Sequence, residues 1–218
     1  MNSRIELRKS KKIVVLCEGD SEENAINYFI KKQWEADFLD EVGLHTVNLR
    51  GHFEKVASKA NLYLLDQKVI AVFTLIDLHE FKRVRLPHSR SLNERATAAR
   101  QWLSNGVKNN LKSRFHPHLS VYEVEAWILA EGIALQSRLR NKSIKPESNA
   151  EEKNDQDPPK NRLNKIFHSN GRKPGFQEII DGRYLFSKLE FQRVYSSCPY
   201  FHAFYDDLKD IAQRALSR

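Results

Sequence analysis

Four carboxylates fall within six positions of the stretch "IVVLCEGDSEEN" (13–24), namely Glu18, Asp20, Glu22 and Glu23. Like charges at that density repel unless something separates or neutralises them. Asp20 and Glu23 have the spacing of a helix N-cap and its capping-box partner, so a helix start accounts for them. Glu18 has no such use, because it ends an apolar, β-branched run that reads as a buried strand. Two more apolar runs stop at acids: "KVIAVFTLID" (68–77) at Asp77, and "HLSVYEVEAWILAEG" (118–132) at Glu123 and Glu125. Hard divalent cations take carboxylate oxygens and keep several waters. Two such ions about 4 Å apart activate a water and stabilise the leaving oxygen of a phosphodiester. A site of that kind draws its carboxylates from several strand ends, since neighbours within one strand point to opposite faces.

The elements that must position these acids follow from the pattern. Residues 12–17, 43–51 and 68–77 read as strands, and 118 onward begins as a fourth that turns helical near Glu125. Helical spacing covers Ser21 to about Gln33, then 52–66 and 91–112. Alternating strands and helices predict an α/β fold, with a parallel sheet of about four strands covered on both faces. In open sheets of this kind, ligands bind outside the carboxyl ends of the strands, where Glu18, Asp77 and the Glu123/Glu125 pair are expected to converge. If the fourth strand persists through both, Glu123 and Glu125 share a face.

Residues 1–138 are expected to form this domain. Residues 139–161, polar and proline-containing, read as a linker or exposed loop, and 162–218 as a helical extension packed on the first domain. The chain has 218 residues, 40% hydrophobic and 29% charged, with formal net charge +8. No apolar run approaches the roughly 18 residues of a membrane span, and the N-terminus lacks a signal-peptide pattern. Cys17 and Cys198 have no paired spacing and read as buried free thiols, so a cytoplasmic location is expected. The positive balance favours polyanionic partners, and "FKRVRLPHSR" (81–90) brings Lys82, Arg83 and Arg85 just past the acid at 77. His116 and His118, as "HPH" without a third ligand nearby, read as a turn into the fourth strand. His202, among the aromatics of "CPYFHAFY", reads as core packing.

Two of these stretches resemble TOPRIM motifs. "VVLCEGDSEENAI" looks like the first, an apolar strand followed by Glu-Gly-x-x-Glu. "VFTLIDLHEF" resembles the second, an apolar strand ending in Asp-x-Asp. "HLSVYEVEAWILAE" and "PPKNRLNKIF…RKPGFQEIIDG…CPYFHAFYDDL" resemble the later signatures of a small bacterial TOPRIM family known as a domain of unknown function. The resemblance implies a Rossmann-like TOPRIM sheet and a Mg²⁺- or Mn²⁺-dependent endonuclease acting on DNA or RNA. It further implies kinship with the OLD nucleases, a place in phage defence, and work beside an ATPase partner away from membranes.

Carried over by position, Glu18 is the principal acid, with Asp77 and Glu125 as further catalytic acids. Glu18, Glu22, Asp77 and Glu125, with His79 as a further candidate, are the implied metal ligands, and Gly19 permits the tight turn. Lys160, Arg162 and Lys173 are implied phosphate contacts. One position departs from the pattern: His79 stands where TOPRIM enzymes carry a second aspartate. Histidine is a poor ligand for Mg²⁺ and an acceptable one for Mn²⁺, and His79 also reads as an ordinary loop residue. The competing expectation is a nucleic-acid-binding module with a weakened metal site that partners an ATPase.

Overall fold

β-branched and aliphatic runs form four parallel strands, β1 (Lys11–Cys17), β2 (Val42–Asn48), β3 (Val69–Asp77) and β4 (Phe115–Ser120), in spatial order β2-β1-β3-β4. The structure is a computed structural model and describes residues 11–39, 41–84, 91–121, 123–151 and 157–217. Side chains alternate across the sheet. Ile13, Val15, Cys17, Ala71, Phe73 and Leu75 enter one core, while Val14, Leu16, Val72, Ile76 and Leu119 enter the other. Both faces are covered, which explains why β1 and β3 read as unbroken apolar runs rather than alternating ones.

The second core is closed by α3 (Val56–Tyr63), entered through a 3₁₀ turn at Phe53–Lys55, and by α4 (Leu92–Asn105). Ser91 caps α4, accepting from the Glu94 N–H at 3.2 Å while Glu94 accepts from the Ser91 N–H at 3.1 Å. The helix stops at Gly106, short of the expected 112. A Cβ at Gly106 would stand 2.6 Å from the Ala57 Cβ, so the two helices meet too closely there for a side chain. A 3₁₀ turn, Asn109–Arg114, then leads into β4.

The first core is closed by α1 (Asp20–Asn24), which widens into a π-helical stretch (Ala25–Ile30) and continues as α2 (Lys31–Phe38). Also on this face are α5 (Glu125–Glu131), α6 (Ile133–Leu139), α7 (Pro159–Ser169), α8 (Arg183–Lys188), α9 (Phe191–Ser197) and α10 (Pro199–Leu216). Phe29, Trp127 and Phe201 interlock, with ring centroids 4.7–6.1 Å apart. Phe204 meets Phe73 edge-on. Each such burial stabilises by roughly 1.5–3 kcal/mol. The C-terminal helices and the sheet therefore share one core. Within 139–161, residues 152–156 lie outside the described residues, and Ala150 and Glu151 are buried. Glu151 accepts from Trp127 Nε1 (2.9 Å) and from the N–H groups of Tyr200 (2.8 Å) and Phe201 (3.2 Å). It caps α10 from across the chain, because Cys198 at that helix start supplies no side-chain acceptor.

Two local expectations are corrected. His116 and His118 lie within β4 rather than in a turn before it. Their rings lie over Phe73, and His116 Nδ1 and His118 Nε2 stand 3.2 and 2.8 Å from Asp207 Oδ2 on α10. His202 is exposed rather than packed in the core, and pairs with Asp206 at 3.0 Å. Cys17 and Cys198 are free and buried, as expected. Among the described residues no helix is long and apolar enough to cross a membrane.

Candidate functional site

In this strand order the chain turns outward from β1 to β2, then crosses back to β3. The carboxyl ends of β1 and β3 therefore flank a topological switch point, the usual ligand crevice of an open α/β sheet. Glu18 leaves β1 there, and Asp77 ends β3 beside it. The Asp77 N–H donates to Glu18 Oε2 at 3.2 Å, so the two strand ends are joined through the carboxylate itself. The Gly51 N–H donates to the Glu18 carbonyl (2.8 Å), tying the exit of β2 to the same point.

Glu18, Glu22, Asp77, His79, Glu123 and Glu125 all line one cavity of about 300 Å³, with Lys160 and Glu178 on its wall. Of the expected acids, all four come together. Two local readings change. Gly19, not Asp20, is the N-cap of α1, and the acid that reaches back to the cap is Glu22, whose Oε2 accepts from the Gly19 N–H at 3.2 Å. Asp20 and Glu23 instead accept from Asn48 Nδ2 on β2, at 2.8 and 2.9 Å. Gly19 has φ −147°, an extended conformation open to any residue, and a Cβ there would meet only Glu22 Oε2 at 3.7 Å, so the turn does not require glycine. Glu123 and Glu125 do not share a strand face, because β4 ends at Ser120. Glu123 sits in a turn with φ +31°, and Glu125 opens α5.

Protein donors hold each acid in place. The His79 N–H donates to Asp77 Oδ1 at 2.8 Å. Ser21 Oγ donates to Glu125 Oε1 at 2.6 Å and lies 3.3 Å from Glu178 Oε2. The Lys160 N–H donates to Glu123 Oε2 at 2.7 Å, and its ammonium pairs with Glu178 Oε1 at 2.8 Å. Ser21 and Glu178 were not singled out from the sequence. Glu178 belongs to a π-helical turn (Glu178–Gly182) that packs on α1 beside the cavity.

The electrostatics follow from burying so many acids together. Burial pushes the Glu22 carboxyl well above its ordinary range, reinforced by Glu125 and Glu18. Burial lifts Asp77 to about 6, against the stabilising His79 N–H. Glu125 is raised by burial, opposed by Lys160 and the Ser21 hydroxyl, and Glu123 is raised by burial as well. Burial works against the Lys160 ammonium, but Glu125, Glu178 and Glu123 outweigh it and hold its pKa above the ordinary lysine value.

The expected phosphate contacts fare differently. Lys160 lines the cavity. Arg162 is bound to the Glu147 carboxylate and, at 3.2 Å, to the Ala150 carbonyl, and so braces the 147–150 segment. Lys82 and Lys173 are exposed and lie outside the cavity lining. Arg85 and the Arg83 side chain lie outside the described residues.

As a donor set, carboxylate oxygens around a polar cavity suit Mg²⁺ or Mn²⁺. Among the described residues no three histidine, cysteine or acidic side chains are gathered at metal-holding distances. Backbone N–H groups, the Ser21 hydroxyl and Lys160 hold these acids to the cavity walls.

The family described as "Domain of unknown function (DUF4276)" matches residues 17–209. No curated protein and no solved structure matches the chain.

Proposed function

We propose that this chain, which belongs to the DUF4276 family, is a divalent-cation-dependent endonuclease of TOPRIM type acting on DNA or RNA. The observation that carries the reading is the convergence of Glu18, Glu22, Asp77 and Glu125 on one cavity at the β1/β3 switch point. The raised pKa values of Glu22, Asp77 and Glu125 support it, since carboxyls that burial and mutual repulsion push toward neutrality gain most from a cation. Glu18 and Asp77, with Glu22 and Glu125 beside them, would hold Mg²⁺ or Mn²⁺. When bound, the cation supplies Lewis acidity toward a phosphodiester and lowers the pKa of water. Glu18 takes the proton of the attacking water. Lys160 meets a phosphate oxygen at the cavity wall, and the exposed Lys82 and Lys173 hold flanking backbone. Kinship with OLD-type nucleases, phage defence and an ATPase partner belong to the same reading.

A second reading has a specific observation behind it. His79 lines the cavity where the motif has an acid, which favours a nucleic-acid-binding module with a single weak cation site. Nicking of supercoiled plasmid and of structured RNA in Mg²⁺ and in Mn²⁺ separates the two. Cutting that is lost in Glu18→Ala and Asp77→Ala supports the endonuclease. Binding without cutting in either metal, with or without a neighbouring ATPase, removes it.

A further inference from the structure

Among the described residues lining the acidic cavity, Lys160 is the one lysine or arginine beside eight acids. Its placement has two parts that act separately. The backbone N–H, in the first turn of α7, is anchored to Glu123 Oε2 at 2.7 Å. The ammonium, at the end of a flexible four-carbon stem, pairs with Glu178 at 2.8 Å, and Glu178 is partly open to solvent. The charge can therefore move while the helix start stays fixed. Glu178 also lies 3.3 Å from the Ser21 hydroxyl that is bonded to Glu125, so the lysine's partner is linked to a buried acid of the cavity.

A cation entering about 300 Å³ already held by an ammonium meets a like charge at close range, where the effective dielectric is far below that of water. From this geometry we infer that Lys160 is the internal counter-cation of the cavity, held on Glu178, and that a divalent cation binds in competition with its ammonium. The inference rests on the cation-dependent reading above. Glu178 then acts as the carboxylate that keeps the ammonium off the other acids rather than as a metal ligand, and Lys160 sets how tightly the cavity holds its cation.

Calorimetric titration of Mn²⁺ into the whole chain tests this without relying on cleavage. The panel is wild type, K160Q, K160M, K160R, E178Q and the K160Q/E178Q double variant, each first shown to melt cooperatively. Removing the ammonium in K160Q or K160M is expected to tighten Mn²⁺ binding about tenfold, while K160R stays within about threefold of wild type. E178Q is expected to weaken binding about threefold or more in the wild-type background and to have no effect beside K160Q, because its action runs through Lys160. Unchanged or weaker binding in K160Q and K160M overturns the role of Lys160 and leaves the cation site standing. An E178Q effect of equal size in both backgrounds does the same, by making Glu178 a direct ligand. Absence of Mn²⁺ binding in every folded variant overturns both this inference and the proposed function.

Discussion

Replacing Asp77 by asparagine should make the metal-free protein more stable at neutral pH, although it removes a central acid of the site. Burial raises the Asp77 carboxyl from an ordinary 3.8 to about 6. The native state therefore binds more protons than the unfolded chain between those values, and stability falls as pH rises through the window. Below about pH 4 the carboxyl is neutral in both states and contributes no penalty. Above about pH 6 the full cost applies, roughly 3 kcal/mol at 1.36 kcal/mol per pH unit. Asparagine removes the charge and keeps an oxygen to accept from the His79 N–H, which aspartate does at 2.8 Å. At about 2–4 °C per kcal/mol for a chain of this size, D77N should melt about 6–12 °C above wild type at pH 8 in chelator. The gap should close toward pH 4. Melting curves at pH 4, 6 and 8 decide the matter. A D77N that melts at or below wild type at pH 8, or a gap independent of pH, refutes the electrostatic account of the cavity.

Three further outcomes follow from contacts outside the cavity. Glu151→Ala removes a buried carboxylate that caps α10 and accepts from Trp127, and leaves that indole N–H unsatisfied, so urea unfolding should show a loss of about 3 kcal/mol. Asp207→Asn weakens the pairing of α10 with His116 and His118. The two imidazole bonds hold the Asp207 carboxyl well below its usual range, so its stabilisation is present above about pH 4 and lost as pH falls further. Denaturant titrations should show a deficit of about 1 kcal/mol at pH 7 that shrinks toward pH 2–3. Gly132→Ala should cost about 1–3 kcal/mol in the same assay, because Gly132 has φ +68° and a Cβ would stand 2.9 Å from the Pro146 backbone.

Glu18 and Asp77 were legible because each ends an uninterrupted apolar run, and a run buried on both faces leaves its terminal acid at a strand end. Glu22 and Glu125 were legible from motif spacing. The chain turns helical at Glu125, as expected, but the strand ends before Glu123, so the turn through Glu123 rather than a shared strand face delivers both acids to the cavity. Glu178 was not legible, since it arrives from a π-helical turn 157 residues beyond Ser21 and local pattern carries no record of such a crossing. His116 and His118 read as a turn into the fourth strand, yet they lie within it with Pro117 between them. β4 lies at the sheet edge, where a missing N–H breaks no ladder, and the prolyl residue fits. Gly19 rather than Asp20 caps the helix, and the Asp20 carboxylate is taken instead by Asn48 on β2, a contact that local spacing does not record.

The central claim is that these acids hold a hard divalent cation, and anomalous diffraction from crystals grown with Mn²⁺ tests it most directly. The account predicts an anomalous peak in the cavity within about 2.5 Å of carboxylate oxygens of both Glu18 and Asp77. A cavity without a peak at millimolar Mn²⁺, or a peak bound only at other side chains, contradicts it.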